Sequence, residues 1–531
     1  MVQQVNMKKS MLFLLTVASA LFISASFPPL DFGILAWLSL SPLLFSLRRK
    51  GSVEAGGMGF LFGCIFGTCS FFWANSIAVI NFSDFLLLLI LFSIYFLVFG
   101  LLYRVISKSI GSWIIIGAPA LWVTLEYIRS NLFFLSWPWN LLGHSQYKFL
   151  PVIQIADITG VYGISFILVM VNQFLSRMPE LYAKHKVETS SNNVGNDQSA
   201  KWRTQLSAVF LVMIILFSYG WYKLLSTKDS GHIRVALIQA NLLTHDNMTY
   251  QEQVKHFQEY IKLTMDASLK KPELIVWPAS SLPAPISSRL VRIATRNLAI
   301  KINSYLLVGG AGHEKFGPQR EGYLPYSNSE FLISPSGEIV GQYNKIRLLP
   351  FNEYLPMQGK FKWPQWITTL KANFISGKEY TLFRVSGASF GTPICWENMF
   401  PDMFRFFVAE GAQFMISVTN EGFFGNTSAP YQTLAMNAFR AVENRVAIVR
   451  ANTTGVSCFI NPNGKIIERV RGSNGNDLFV SGFLIGDIPL SNIRTFYTFY
   501  GDVFAYAALC ITALFIILPV IHKKRNRLIG N

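Results

Sequence analysis

The feature that most constrains this chain is a succession of charge-free apolar runs, at residues 10–30, 32–47, 55–83, 85–103, 109–125, 158–176, 204–222 and 503–521. Each approaches the ~20 residues a helix needs to cross a hydrocarbon layer, the second run being the shortest. Eight membrane-spanning helices are therefore expected. The first run also has features of a signal peptide, with Lys8-Lys9 ahead of an apolar stretch and Ala18-Ser19-Ala20 after it. Because its apolar character continues to residue 30, a retained helix is the preferred expectation.

Charge is placed as a membrane protein would place it. The chain carries a formal charge of +17, which on a soluble protein would suggest nucleic acid as a partner. With the N-terminus inside, however, the basic residues fall mainly in inner segments: Lys8-Lys9, Arg48-Arg49-Lys50, Arg104, Lys108, the 177–203 loop and Lys523-Lys524-Arg525. The short outer loops hold only Arg129 and Lys148. This bias puts both termini in the cytoplasm and the segment between the seventh and eighth runs outside. Basic loops facing anionic lipid account for much of the net charge, and no nucleic acid is expected. Three regions result: residues 1–226 with seven helices, an outer domain at 227–499, and a final helix with a basic tail at 500–531.

Two loops differ in kind. The inner loop at 178–205 contains Thr189-Ser-Ser-Asn-Asn-Val-Gly-Asn and is expected to be a flexible linker. The outer loop at 131–157 holds Phe133-Phe134-Leu-Ser-Trp137-Pro-Trp139, suited to the bilayer surface. Glu126 in the fifth run is either an intramembrane functional carboxylate or, more simply, a partner for Arg129.

The outer domain alternates strand and helix patterns. Short β-branched or apolar runs at 233–239, 273–277, 305–309, Phe414–Thr419 and 446–451 read as buried strands. Residues 250–269 and 431–444 read as amphipathic helices. Two Pro-X-Gly turns, ending at Gly337 and Gly464, predict hairpins. Five cysteines (Cys64, Cys69, Cys395, Cys458, Cys510) have neither a Cys-X-X-Cys pair nor metal-ligand spacing, so no disulfide framework, metal or cofactor is expected.

Four stretches of this domain combine a strand end with chemistry-bearing residues. Gly391-Thr-Pro-Ile-Cys395-Trp396-Glu397-Asn delivers a thiol into a turn, where nearby positive charge or a base can make it a nucleophile. Tyr343-Asn-Lys345 leads into a proline-bounded loop carrying Glu353, Leu274-Ile-Val-Trp277-Pro278-Ala279 ends a strand, and Thr419-Asn420-Glu421-Gly422 ends another. Taken singly, the cysteine is a small core residue, Lys345 a solvated charge, Glu353 a surface carboxylate and Asn420 a cap. Taken together, they cluster at strand ends, where α/β folds put their sites.

These motifs resemble the nitrilase (carbon–nitrogen hydrolase) superfamily, and the chain along its whole length resembles the bacterial apolipoprotein N-acyltransferase family. The resemblance rests on Tyr-X-Lys-X-X-Leu-Leu-Pro-Phe-X-Glu-Tyr from Tyr343 to Tyr354, on Ile394-Cys395-Trp396-Glu397, and on Thr419-Asn420-X-Gly-X-Phe-Gly. It implies an αββα-sandwich domain beside the membrane helices and a Glu-Lys-Cys triad. Cys395 would be the nucleophile, Lys345 the oxyanion-stabilising cation, and Glu353 an auxiliary carboxylate. Trp137, Trp139, Trp277, Trp396, Glu397 and Asn420 are the candidate substrate-binding residues. The implied reaction moves a fatty acyl chain from a phospholipid, through a cysteine thioester, to the N-terminal amine of a diacylglyceryl-cysteine lipoprotein.

One position departs from the pattern. The family's general-base glutamate directly follows Trp-Pro, and Ala279 stands there. Loss of a positioned base typically costs ~10²–10⁴ in rate, so impaired activity is expected. An engineered replacement, a natural loss of activity and partial rescue by Glu353 are the open explanations, the first favoured by the intactness of the other site residues. Two other functions fit parts of the chain: a membrane-tethered amidase acting on small amides, and a non-catalytic lipoprotein-binding pseudoenzyme.

Overall fold

The computed structural model describes residues 9–77, 80–190, 196–226, 231–242, 248–313, 326–364 and 374–529. The chain divides into two compact units: Met1–Asn75, Ile80–Ser226 and Asp502–Asn531 form the first, and Ser76–Val79 with Thr227–Gly501 the second.

The first unit is helical. Among the described residues, five helices are long and apolar enough to cross a membrane: Ser52–Ser76, Phe82–Ser109, Gly111–Asn131, Val161–Pro179 and Trp202–Leu225. The other three expected spans are shorter apolar helices there. Helix Lys9–Ala25 has 17 residues, about 25 Å at 1.5 Å per residue, and stops before Pro28-Pro29. The second run breaks into a 3₁₀ turn at Gly33–Trp37 and a helix at Ser41–Leu47. Among the described residues, length and composition thus support five of the eight expected spans. Inside the unit, helices Ser52–Phe71 and Phe82–Ser109 meet backbone to backbone. A Cβ on Gly59 would lie 2.0 Å from the Phe96 carbonyl oxygen, so only glycine permits this approach.

The inner loop at 178–205, expected to be a flexible linker, is helical over much of its length. Helices Val161–Ser190 and Asn196–Leu225 continue into it, as good helix formers such as Glu180, Leu181, Ala183 and Lys184 allow; residues 191–195 of that linker lie outside the described residues. Glu126 accepts hydrogen bonds from the Leu142 backbone N–H at 2.7 Å and the Trp122 indole at 3.0 Å. Arg129 donates to the Trp139 carbonyl at 3.0 Å.

Among the described residues the second unit has twelve strands: β1 His232–Gln239, β2 Leu274–Val276, β3 Tyr305–His313, β4 Tyr326–Ile333, β5 Ile339–Asn344, β6 Phe383–Val385, β7 Ala388–Gly391, β8 Phe414–Thr419, β9 Ala447–Asn452, β10 Cys458–Ile460, β11 Ile466–Arg469 and β12 Gly482–Pro489. They form two six-stranded sheets, ordered β12-β1-β2-β3-β4-β5 and β11-β10-β9-β8-β7-β6. Strands β1 and β12 pack against β9, so the two sheets face each other. Helices Tyr250–Ser268 and Arg289–Ile302 cover the outer face of the first sheet, with Tyr260, Leu263, Leu298 and Ile302 packed on Ile275, Trp277, Leu306 and Phe331. Helices Pro401–Ala409 and Ala429–Asn444 pack on the second. The arrangement is helix, sheet, sheet, helix. Strands β8 and β9 are buried at every position, which explains their unbroken apolar or β-branched character.

Register decides which side chains look inward. Glu330 on β4 lies directly opposite Gly309 on β3 and Tyr343 on β5. Side chains alternate along a strand, so Glu330, Asn328, Tyr343 and Lys345 share the inner face. Ser327, Ser329 and Phe331 point to the outer one.

Candidate active site

Cys395 follows Ile394, which bridges to Val418 beyond the end of β7, and opens a 3₁₀ turn at Cys395–Met399. Its φ of 52° is a left-handed conformation that a side chain makes costly. Glu397 holds the turn in that shape. Its carboxylate accepts from the Ile394 N–H at 2.8 Å, the Ile346 N–H at 2.7 Å, the Arg347 N–H at 2.9 Å and the Tyr343 hydroxyl at 2.9 Å. It therefore ties the cysteine turn to the backbone just after Lys345.

Lys345 leaves the end of β5 with its backbone N–H bonded to the Asn328 carbonyl at 2.8 Å. Its side chain is 1% exposed, and its Nζ donates to Glu353 Oε2 at 2.6 Å. Glu353 is filled on its other sides by the Leu349 N–H at 2.7 Å and the Asn328 amide at 3.1 Å. Burial works against the Lys345 ammonium, but the Glu353 carboxylate outweighs it, aided by Cys395 and Glu397, and holds the lysine above its ordinary range. Burial pushes the Cys395 thiol up; Lys345 pulls it back only in part, and the carboxylates of Glu353 and Glu421 push it further. The resting sulfur is thus a thiol beside a fixed cation, and it needs a base.

The remaining expected residues divide sharply. Glu397 and Asn420 are structural in geometry. Asn420 Oδ1 caps its own turn, accepting from the Gly422 N–H at 3.2 Å and the Thr453 hydroxyl at 2.8 Å. Trp277 is a correction. It points to the outer face of the sheet, is 0% exposed, stacks on Tyr260 at 4.9 Å and donates to the Thr264 hydroxyl at 2.8 Å. It belongs to the helix-covered core, because the parity of β2 sends it there. Trp396 packs edge-on against Phe400 at 5.6 Å. Trp137 and Trp139 belong to the first unit, stacked on each other at 5.4 Å, with Trp139 also against Trp73 at 4.9 Å. Ala279, three residues beyond the end of β2, is 2% exposed.

Two inner-face residues were not anticipated from sequence: Tyr343 as the partner of Glu397, and Glu330. The signal for Glu330 was a single acid in mid-strand, immediately before Phe331-Leu332-Ile333. Among the described residues no group of three or more His, Cys, Asp or Glu is arranged to hold a metal ion.

Against known families, residues 19–174 match the apolipoprotein N-acyltransferase N-terminal domain and residues 234–497 match the carbon-nitrogen hydrolase domain. A protein of Geobacter metallireducens named apolipoprotein N-acyltransferase is 31% identical over 97% of this chain and 96% of its own length. The chain belongs to the apolipoprotein N-acyltransferase family. A Chlorobaculum tepidum protein of the same name is 27% identical, covering 96% of this chain and 97% of its own. Among solved structures, an amidase from Nesterenkonia sp. is 22% identical over 50% of this chain and 93% of its own, with a TM-score of 0.36. In this member of the apolipoprotein N-acyltransferase family the thiol and the lysine lie together, and the alanine stands at the end of β2.

Proposed function

We propose that this chain is a membrane-embedded acyltransferase that moves a fatty acyl chain from a phospholipid to the N-terminal amine of a diacylglyceryl-cysteine lipoprotein. The observation that carries the reading is the juxtaposition of the strained Cys395 with the buried Lys345–Glu353 pair, in a chain of this family. Apolar helices support a multi-pass membrane protein, and the basic bias of its inner segments supports a bacterial inner membrane with both termini cytoplasmic and the second unit periplasmic.

In the first half-reaction the Cys395 Sγ–H bond breaks as sulfur bonds to the acyl carbonyl carbon. The carbonyl electrons move to oxygen, where the Lys345 ammonium stabilises them, an effect worth ~3–4 kcal/mol per donor in comparable sites. Collapse expels the glycerol oxygen, which takes the proton and leaves as a lysophospholipid. In the second, the acceptor amine attacks the thioester, loses a proton, and forms the amide as sulfur is released and reprotonated. Glu353 holds Lys345 in place, and Glu397 holds the cysteine turn. Ala279 favours one rival, a pseudoenzyme that binds lipoprotein without reacting.

The full chain in detergent micelles should transfer a labelled acyl chain from phospholipid to a diacylglyceryl-cysteine peptide, and Cys395→Ala should not. Peptide binding without transfer, even when a glutamate is restored at position 279, would favour the pseudoenzyme. Turnover of soluble amides without lipid would favour an amidase.

A further inference from the structure

The structure supplies a carboxylate where the sequence lacks one. Gly309 on β3 has no side chain, and the space this leaves is occupied from the neighbouring strand. A Cβ built on Gly309 would lie 2.3 Å from Glu330 Oε1, 2.8 Å from the Ala279 Cα and 2.9 Å from the Ser280 N. The Glu330 carboxyl therefore crosses over Gly309 and rests against the end of β2, at the residue where the resemblance requires a glutamate.

Two further observations separate Glu330 from an ordinary buried acid. It is 0% exposed, and neither carboxyl oxygen has a hydrogen-bond partner among the described residues. Leaving such a group unmatched in an apolar interior is unfavourable. The other buried carboxylates near the site are engaged: Glu353 by Lys345, Leu349 and Asn328, Glu397 by three backbone N–H groups and Tyr343, and Glu421 by Arg450, Thr433 and Asn452. Their lone pairs are committed, whereas those of Glu330 are open. Glu330 also shares the inner face with Lys345, which is two residues beyond its cross-strand partner Tyr343. Such diagonal neighbours lie ~7–8 Å apart at Cα, within reach of long side chains.

We propose that Glu330, reaching over Gly309 to the place beside Ala279, is the general base for Cys395, so that the catalytic carboxylate enters from β4 instead of β2. The proposal rests on the acyltransferase reading and names its missing group. Glu330 takes the proton from Cys395 Sγ as the carbon–sulfur bond forms, directly or through one water, and gives it to the departing glycerol oxygen. In the second half it takes a proton from the attacking amine and returns it to sulfur, so the enzyme ends as it began. Burial raises the carboxyl well above its ordinary range, which makes it a stronger base once ionised. Its cross-strand partner on β5 is Tyr343, with Lys345 just beyond the end of that strand, and the residues against its carboxyl, Gly309, Ala279 and Ser280, do not titrate.

The test is the single-turnover rate of Cys395 acylation by the full chain in mixed micelles of phosphatidylethanolamine and phosphatidylglycerol. Glu330→Gln should lower that rate by ~10²–10⁴-fold and remove the rise of rate with pH, while the variant unfolds no earlier than the parent. Glu330→Ala should be equally slow, and adding Ala279→Glu to it should recover much of the loss, which a merely structural Glu330 would not permit. Ala279→Glu alone should not accelerate the chain, since two carboxyls would compete for one place. Parental rates in Glu330→Gln, or acylation that begins only when Ala279→Glu is introduced, would overturn Glu330 and leave the acyltransferase reading standing. Absence of acylation in the parent and every variant would overturn both.

Discussion

Glu353 and Glu330 are both buried in the second unit, and their surroundings are opposite. Glu353 is surrounded by a cation, a backbone N–H and an amide. The Glu330 carboxyl lies over Gly309 against Ala279 and Ser280 and has no hydrogen-bond partner among the described residues. The contrast teaches how to tell a carboxylate that builds a site from one that reacts in it. The first has its lone pairs committed before substrate arrives, and the second carries the cost of leaving them open.

The two carboxylates should differ most in what they contribute to stability. Glu353→Gln removes one member of a buried ion pair and strands Lys345, so it should destabilise the second unit by about 3–5 kcal/mol. Glu330→Gln should cost little by the same thermal melt; equal losses would erase the distinction. Next, Lys345→Met should slow Cys395 acylation by ~10²–10³-fold, the effect of losing one oxyanion donor. It should also shift alkylation of Cys395 by iodoacetamide to higher pH, because the lysine is what draws the thiol downward. A pH profile unmoved by the substitution would separate the two groups functionally.

A smaller effect is expected on the outer face. Trp277→Phe loses the hydrogen bond to Thr264 and should destabilise by about 1–2 kcal/mol while leaving the acylation rate near that of the parent. A selective loss of acylation would return Trp277 to the site. The smallest effect is the pH dependence of stability. The folded-state pKa of Glu330 is raised, so its contribution is fully present below the ordinary carboxylate range and is lost as pH rises through the folded value. The melting temperature of Glu330→Gln should therefore gain on the parent as pH rises, and a constant difference would contradict the burial argument.

Much of this site was legible because its chemistry is local in sequence. Cys395, Lys345 and Glu353 each sit in a turn whose prolines and glycines mark a strand end, and the hairpins at Gly337 and Gly464 announce themselves in the same way. Glu330 was hidden because its meaning depends on three strands: β3 must offer a glycine, β2 an alanine, and β4 must be registered between β3 and β5. No window along the chain contains that information. Trp277 misled for a related reason, since only the parity of β2 says which face it takes. The apolar runs were plain in sequence, but hydropathy does not reveal that prolines and 3₁₀ turns shorten the first two helices.

The measurement that bears most directly on the account is the intact mass of the purified full chain after incubation with phospholipid. A fatty-acyl increment that maps to Cys395, is released by hydroxylamine and is absent from Cys395→Ala is the predicted result. An increment that persists in Cys395→Ala, or that forms on another residue of the parent chain, would contradict it.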